Sequence, residues 1–228
     1  MAELISGLRI ERVRQNVAHV REQIAAAAHR SPVKRDSQRR NGVELLAAIK
    51  YVALDDLPLL AEAGIELVGE NRAQQLRAKH EAHGDLFEWD FIGQLQSRRV
   101  REIVPYARLI HSVASDSALR ALERHRALAR SDLQIMIEVN IAGEADKAGV
   151  APERIGEFVD RSPVPVAGLM TMPPFAAEPD DSRRWFALLR ELAERHSLEH
   201  LSMGTSQDYV VAVEEGATIV RIGTSLYT

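Results

Sequence analysis

The stretch VELLAAIK, residues 43–50, decides the fold: it is a short, almost uninterrupted apolar run that ends in a lysine. Such a run is typical of a strand buried in a parallel sheet. Seven further runs follow it at a spacing of about 20–30 residues, the length of one strand and one crossover helix. The predicted strands are 43–49, 66–69, 88–92, 108–113, 133–141, 164–169, 200–203 and 218–222.

Segments with helical patterning fill the intervals between these strands, and several begin with Asp, Ser or Pro, as helix N-termini favour. Strands that alternate with helices form parallel βαβ units. Eight units predict an α/β fold, a single closed (β/α)8 barrel over residues 43–228. A doubly wound open sheet is the alternative. The predicted helices are 55–63, 71–82, 96–104, 116–130, 152–160, 180–197 and 206–215.

The residues before the first strand form an extra N-terminal helix and a connector. Apolar side chains recur at helical spacing and predict an amphipathic helix over residues 3–29. Residues 31–42 are polar and basic and predict a connector. Residues 1–228 are thus expected to form one domain: an N-terminal helix (1–30), a connector (31–42) and the barrel (43–228). The helical pattern comprises Leu8, Val13, Val17, Val20 and Ile24.

Composition excludes several functional classes. The 228 residues are 46% hydrophobic and 27% charged with a net charge of -4, which is typical of a globular domain and gives no reason to expect nucleic acid or an anionic membrane as partner. With no cysteine, a thiol nucleophile and a thiolate metal site are excluded. His80 and His83 lack a third ligand nearby, so no metal site is predicted.

The first thirty residues do not resemble a signal peptide, and no apolar stretch approaches the ~20 residues of a membrane-spanning helix. We therefore expect a soluble, cytoplasmic protein.

Lys50 is the first candidate for chemistry. Only four of the 29 basic residues are lysines, and the other three, Lys34, Lys79 and Lys147, occupy ordinary polar or helical positions. Lys50 ends the first strand, so its ammonium is expected among apolar walls at the barrel mouth. Desolvation lowers the pKa of an amine and favours attack on carbonyls, which makes a lysine a Schiff-base former. The alternative is a lysine that extends to solvent or pairs with a carboxylate.

A candidate anion site follows the last two strands. LSMGTSQD at 201–208 and VRIGTS at 220–225 each place glycine and small hydroxyl residues after a strand. Exposed backbone N–H groups and a helix N-terminus bind anions, and phosphate sites in barrels use the loops after strands seven and eight. The alternative is that Ser206 and Asp208 are only helix caps and that Gly223 is only a turn residue.

Arg221 lies inside the last apolar strand and is the third candidate. A buried guanidinium without hydrogen-bond acceptors costs several kcal/mol. Its acceptor is either a core carboxylate such as Glu138 or the ring nitrogen of a ligand. A strand-end lysine, a phosphate site and a buried arginine on one barrel together indicate pyridoxal 5'-phosphate (PLP) as the cofactor.

The sequence also resembles a known family, the pyridoxal phosphate homeostasis proteins, which are related to the N-terminal domain of alanine racemase. The matching motifs follow the family's order over nearly the whole chain. They are LLAAIK (45–50), GEN (69–71), WDFIGQLQSRR (89–99), IHSV (110–113), IEVNIAGEADKAG (137–149), GLMTMPP (168–174), LSMGTSQD (201–208) and VRIGT (220–224).

This resemblance implies a fold-type III PLP barrel. Lys50 would hold PLP as a Schiff base, Asn71 would line the cofactor, and Arg221 would face the pyridine nitrogen. Ser206, Gly223 and Thr224 would bind the phosphate, and Met203 and Gly204 would shape the pocket. Two residues depart from the family pattern, Asp90 where His is usual and Tyr51 where Thr is common, and we expect them to alter contacts near the rim of the cofactor.

The resemblance also implies a protein that holds or delivers PLP, with PLP-dependent apoenzymes as possible recipients. An arginine keeps its proton, so the pyridine nitrogen beside it stays unprotonated and the ring is a weaker electron sink. A racemase needs a second base on the opposite face of the substrate. In alanine racemase an added β domain supplies this base, and the present chain ends five residues after Gly223. We therefore expect no catalytic residue. The alternatives are an amino-acid racemase or related PLP enzyme, and a barrel that binds another phosphorylated molecule.

Overall fold

Eight parallel strands close into a barrel in the computed structural model, which describes residues 5–31 and 42–227. The strands follow one another in chain order, and β8 returns to pair with β1. This confirms the predicted barrel against the open-sheet alternative. The strands are β1 (Glu44–Ala48), β2 (Leu67–Glu70), β3 (Glu88–Phe91), β4 (Leu109–Val113), β5 (Gln134–Glu138), β6 (Val166–Met170), β7 (His200–Thr205) and β8 (Ile219–Ile222).

Helices cover the outside of the barrel, and most are shorter than the sequence pattern predicts. The main reason is that several of them begin with a 3₁₀ turn, as at Pro152–Arg154 and Pro179–Ser182. The helices are α1 (Ile10–Arg30), α2 (Leu57–Glu62), α3 (Ala73–His83), α4 (Val100–Ile103), α5 (Asp116–His125), α6 (Ile155–Arg161), α7 (Arg183–Arg195) and α8 (Tyr209–Glu214).

The N-terminal helix α1 packs on the outside of the barrel, against α8 and α2. Its apolar stripe enters the core, as the helical spacing predicts, and includes Val13, Val17 and Val20. The helix begins at Ile10 rather than at residue 3, and Ile5 instead forms a parallel bridge with Val52. Residues 32–41, most of the predicted connector, lie outside the described residues.

The apolar core has two layers. The larger layer fills the space between strands and helices, and a smaller cluster of inward-pointing side chains fills the barrel interior. The interior also contains buried polar side chains, which include Asp90, His111, Ser202 and Arg221. In the described ranges, no helix is both long and apolar enough to cross a membrane. The inner cluster consists of Leu46, Leu67, Leu109, Met136, Ala167, Met170 and Ile219.

Candidate functional site

A cleft of about 500 Å³ opens at the carboxyl ends of the strands. This volume suits a small ligand. Six of the predicted site residues line the cleft, whereas Met203 and Gly204 do not. The closed barrel and the doubly wound sheet both place binding sites at the carboxyl ends of their strands, and the cleft lies at that end. The six are Lys50, Asn71, Ser206, Arg221, Gly223 and Thr224.

Lys50 stands at the rim of the cleft, in the turn that follows β1. Its ammonium lies 4.8 Å from the centre of the Tyr51 ring. The side chain is exposed, so the expectation that apolar walls enclose it is wrong. The physical reason is that β1 already ends at Ala48, which carries Lys50 above the barrel mouth. The amine is therefore accessible to a ligand in the cleft and to solvent.

A second lysine fixes the backbone beneath Lys50. Lys79 on α3 is 3% exposed, and its ammonium donates to the Ile49 carbonyl at 2.7 Å and to Glu70 Oε1 at 2.9 Å. Glu70 in turn accepts from the backbone N–H of Asn71. The sequence interpretation of Lys79 as an ordinary helical position was wrong. Its buried ion pair ties the ends of β1 and β2 together and so places Lys50 and Asn71.

Asn71 carries an unsatisfied acceptor. Its side-chain Oδ1 is buried and accepts no hydrogen bond. Its backbone is held by close packing, because a Cβ at Gly93 would lie 2.0 Å from the Asn71 carbonyl oxygen. The Ser112 hydroxyl donates to the Gly93 carbonyl from the other side. A buried acceptor without a partner in a cleft indicates a place for a donor from a ligand.

The loops after β7 and β8 gather hydroxyl and amide groups. Gly223 N–H donates to Ser206 Oγ at 3.2 Å, and the Ser225 hydroxyl donates to the same oxygen at 3.1 Å. Ser206 lies in the turn before α8 and does not open the helix, and Asp208 accepts from the Thr205 N–H at 2.8 Å. Ser225 belongs to the predicted segment 220–225, although it was not named among the phosphate ligands. The two loops thus bring Ser206, Gly223 and Ser225 together beside the cleft.

Arg221 on β8 forms part of the cleft wall and is 7% exposed. It donates to Ser202 Oγ, to the Thr171 carbonyl at 2.9 Å and to Met172 Sδ at 2.9 Å, rather than to Glu138. Burial lowers the pKa of Arg221 to about 10, against the opposing charges of Asp208 and Glu138. The guanidinium is thus a cation at neutral pH, and the alternative of a pair with Glu138 is not formed.

Met203 and Gly204 serve the scaffold rather than the cleft wall. Met203 belongs to the outer apolar layer, because Ser202 before it points into the barrel. Gly204 has φ +90°, and a Cβ there would lie 2.6 Å from the Ala212 Cβ and 2.9 Å from the Tyr209 Cα. Glycine thus allows α8 to pack closely on the end of β7.

Gly204→Ala is expected to lower the free energy of unfolding by about 2–4 kcal/mol, because it combines a strained positive φ with a steric overlap. Gly143→Ala is the matched control, since Gly143 has φ +68° with nothing near its added Cβ. It should cost only about 1 kcal/mol. Urea unfolding followed by circular dichroism measures both values. Equal losses would show that the overlap with α8 costs nothing.

Asp90 lies in the barrel interior, so its expected place near the rim of the site was wrong. It is 0% exposed and accepts two hydrogen bonds from Arg108, at 3.0 and 3.1 Å. His111 lies 3.1 Å from it and 2.8 Å from Ser202. The functional interest of His111 and Ser202 was also missed, although polar residues inside otherwise apolar strands are the signal that reveals such positions.

The family model for the alanine racemase N-terminal domain matches residues 8–228. A pyridoxal phosphate homeostasis protein of Aquifex aeolicus is 39% identical over 225 residues, which cover 93% of this chain and 96% of that protein.

Solved structures agree with this relationship. PipY of Synechococcus elongatus with PLP bound has a TM-score of 0.77 at 28% identity, covering 95% of this chain and 100% of that chain. Alanine racemase of Corynebacterium glutamicum shares the fold, with a TM-score of 0.67 at 16% identity, covering 100% of this chain and 63% of that chain. The chain thus belongs to the alanine racemase N-terminal domain family and, within it, to the pyridoxal phosphate homeostasis proteins.

Proposed function

We propose that this protein binds PLP in the cleft and serves PLP homeostasis without catalytic turnover. The observation that carries the proposal is that one cleft contains an accessible lysine, a buried arginine and a cluster of hydroxyl and amide groups. These match the aldehyde, the ring nitrogen and the phosphate of PLP. PLP bound in the structure of PipY, a relative over 95% of this chain, supports the same ligand here.

Each group of the cleft has a part in holding the cofactor. Bound PLP supplies an aldehyde that condenses with an amine and a ring that withdraws electrons. Lys50 holds it covalently as a Schiff base, and Asn71 offers its unsatisfied oxygen. Arg221 donates toward the ring nitrogen. Ser206, Gly223 and Thr224 bind the phosphate, and Ser225 joins them.

The lining of the cleft supports a role as carrier rather than racemase. Among the described lining residues, the titratable groups besides Lys50 and Arg221 are Tyr51 and Tyr227. The Tyr51 ring lies beside the Lys50 ammonium, 4.8 Å from it, rather than apart from it. The Tyr227 hydroxyl donates to the Ala48 carbonyl at 3.2 Å, and burial raises its pKa. Neither is suited to act as a base opposite Lys50.

The exposed position of Lys50 supports exchange of the cofactor with other proteins. Lys50 at the rim of an open cleft is accessible to water and to competing amines, which would allow PLP to be taken up and released there. We propose PLP-dependent apoenzymes as the recipients.

Ser206→Ala is expected to weaken PLP binding about tenfold or more, because a hydrogen bond to a charged group contributes about 1.5–3 kcal/mol. Binding of pyridoxal, which lacks the phosphate, should change little. Equilibrium titrations of the purified apoprotein with both ligands, followed by visible absorbance, measure the two effects and test the proposed function itself. A wild-type protein that binds neither ligand would refute PLP binding.

Ser117→Ala is the matched control, since Ser117 is an exposed serine on α5 that does not line the cleft. It should leave both affinities unchanged. An equal loss of PLP and pyridoxal binding in Ser206→Ala would mean that Ser206 maintains the shape of the loop rather than binding the phosphate.

A further inference from the structure

A continuous hydrogen-bonded column runs through the barrel interior to Arg221. It consists of Asp90, His111, Ser202 and Arg221, which we call the relay. His111 Nε2 lies 3.1 Å from Asp90 Oδ2, His111 Nδ1 lies 2.8 Å from Ser202 Oγ, and Arg221 donates to Ser202 Oγ. Barrels of this type usually fill the same space with branched apolar side chains. A connected set of polar side chains in this position is therefore unusual and needs a functional explanation.

Asp90 is the acceptor at the far end of the relay. Burial alone raises the pKa of its carboxyl, but the hydrogen bond from His111 and the charge of Arg108 outweigh burial and hold the pKa below its usual value. Arg108 binds both oxygens of Asp90 and continues to Glu44, with both distances to Glu44 at 3.3 Å. An ionised carboxylate only accepts hydrogen bonds. The nitrogen of His111 that faces it therefore carries a hydrogen.

The protonation of His111 decides which groups of the relay donate hydrogen bonds and which accept them. Burial lowers its pKa and outweighs the hydrogen bond and charge of Asp90, and the charges of Arg221 and Arg108 act in the same direction as burial. The hydrogen bonds agree with a neutral ring, because a second hydrogen on Nδ1 would leave the Ser202 hydroxyl, which already accepts from Arg221, without an acceptor of its own. With hydrogen on Nε2, its Nδ1 is an acceptor, so the Ser202 hydroxyl donates to it. Ser202 Oγ then presents a lone pair to Arg221, and every donor meets an acceptor.

We propose that Asp90 and His111 are positioning residues that act on Arg221 through Ser202. Asp90 fixes the Nε2–H tautomer of His111, and this tautomer turns the lone pair of Ser202 toward the guanidinium. Together with the Thr171 carbonyl, Ser202 sets the position of Arg221 in the cleft wall. The consequence for the cofactor ring rests on the proposed function, whereas the tautomer of His111 does not.

The first test is the tautomer of His111 in the wild-type apoprotein. Long-range ¹H–¹⁵N correlation spectra at neutral pH should show hydrogen on Nε2 and a free lone pair on Nδ1. Hydrogen on Nδ1, or on both nitrogens, would overturn the relay. This measurement needs neither a variant nor PLP. It therefore tests the relay separately from the proposal that the protein binds PLP.

Asp90→Asn is the decisive variant. The amide can face His111 with its NH₂ group in the place of Oδ2 while its oxygen, in the place of Oδ1, still accepts from Arg108 Nε. The hydrogen bond from Arg108 Nη2 to Oδ2 is then lost. The tautomer of His111 should then change to Nδ1–H, so that Ser202 accepts from both neighbours and its own hydrogen lacks an acceptor. Glu44→Gln is the matched control, because it also removes a charge beside Arg108 but leaves Asp90 in place. It should keep the Nε2–H tautomer. An unchanged tautomer in folded Asp90→Asn contradicts the proposal.

The second readout compares two ligands that differ only at the ring nitrogen. Asp90→Asn should weaken binding of PLP about fivefold, the equivalent of one lost hydrogen bond. It should leave binding of the carbocyclic analogue, with C–H in place of that nitrogen, unchanged. Equal weakening of both ligands would mean general damage to the barrel and would overturn the relay.

Ser202→Ala provides an independent route should Asp90→Asn fail to fold. It removes the link between His111 and Arg221, so it should reproduce the selective loss for PLP. Where both single variants fold, the double variant Asp90→Asn/Ser202→Ala should bind PLP no more weakly than Ser202→Ala alone. A selective loss that is absent from Ser202→Ala, or losses that add in the double variant, would show that Asp90 does not act through Ser202.

Discussion

Lys50→Arg is expected to abolish covalent attachment of PLP. Arginine keeps a cation beside the Tyr51 ring, but its guanidinium does not form a Schiff base at neutral pH because it holds its proton. Borohydride reduction of the wild-type protein with PLP should place a pyridoxyl group on the peptide that contains Lys50. In Lys50→Arg this modified peptide should be absent, and so should the absorbance band of the Schiff base.

Lys147→Arg is the matched control for this experiment. Lys147 lies in the loop after β5, is exposed and pairs with Glu144 at 2.7 Å, and it does not line the cleft. Its replacement should leave the modified peptide of Lys50 unchanged. A pyridoxyl group found on Lys79 or Lys147 in the wild-type protein, with Lys50 unmodified, would contradict the assignment.

The barrel could be predicted from the sequence because each strand is a short apolar run and each interval is long enough for one helix. Parallel strands of a barrel are buried on both faces, which keeps their runs apolar and easy to recognise. The number of runs then indicated closure. The location of the site followed too, since Lys50, Asn71 and Gly223 each follow the end of a strand and such ends meet at one face.

The same property of the strands hides which side chains point inward. A run that is apolar on both faces has no alternation from which to read its direction. The resemblance implied Met203 in the pocket, and the apolar run gave no pattern against which to check it; Ser202 points into the barrel and binds Arg221. Asp90, His111 and Ser202 lie on three different strands and contact one another, and no spacing along the chain reveals such contacts.

The burial of Lys79 was unpredictable for a different reason. Its helix, α3, is polar over most of its length. Nothing in the sequence pattern of α3 therefore distinguishes the buried Lys79 from a lysine that is exposed to solvent. Only the packing of α3 on the paired strands β1 and β2 brings Lys79 beneath Ile49 and beside Glu70. A buried charge is stable there because it has a carboxylate and a carbonyl as partners. Tertiary context, rather than local sequence, decides the position.

The protein is expected not to exchange the α-proton of alanine at enzymatic rates. Arg221 remains a cation and donates rather than accepts at the ring nitrogen, so a bound ring would be a weak electron sink. Among the described lining residues, the tyrosines offer no base opposite Lys50. The measurement is loss of the α-proton signal of L- and D-alanine in deuterated water, followed by NMR with the PLP-loaded protein.

Lys50→Ala supplies the blank for this measurement, because free PLP alone labilises α-protons slowly and that background must be subtracted. The wild-type rate should stay close to the blank, far below the ~1–10³ per second of typical enzymes. Exchange in that range, abolished in Lys50→Ala, would make the protein a racemase or a related PLP enzyme. Exchange of the α-proton of only one enantiomer would show that a base acts on one face of the bound amino acid alone. Lys50 would then be that base, because it is the amine that lines the cleft.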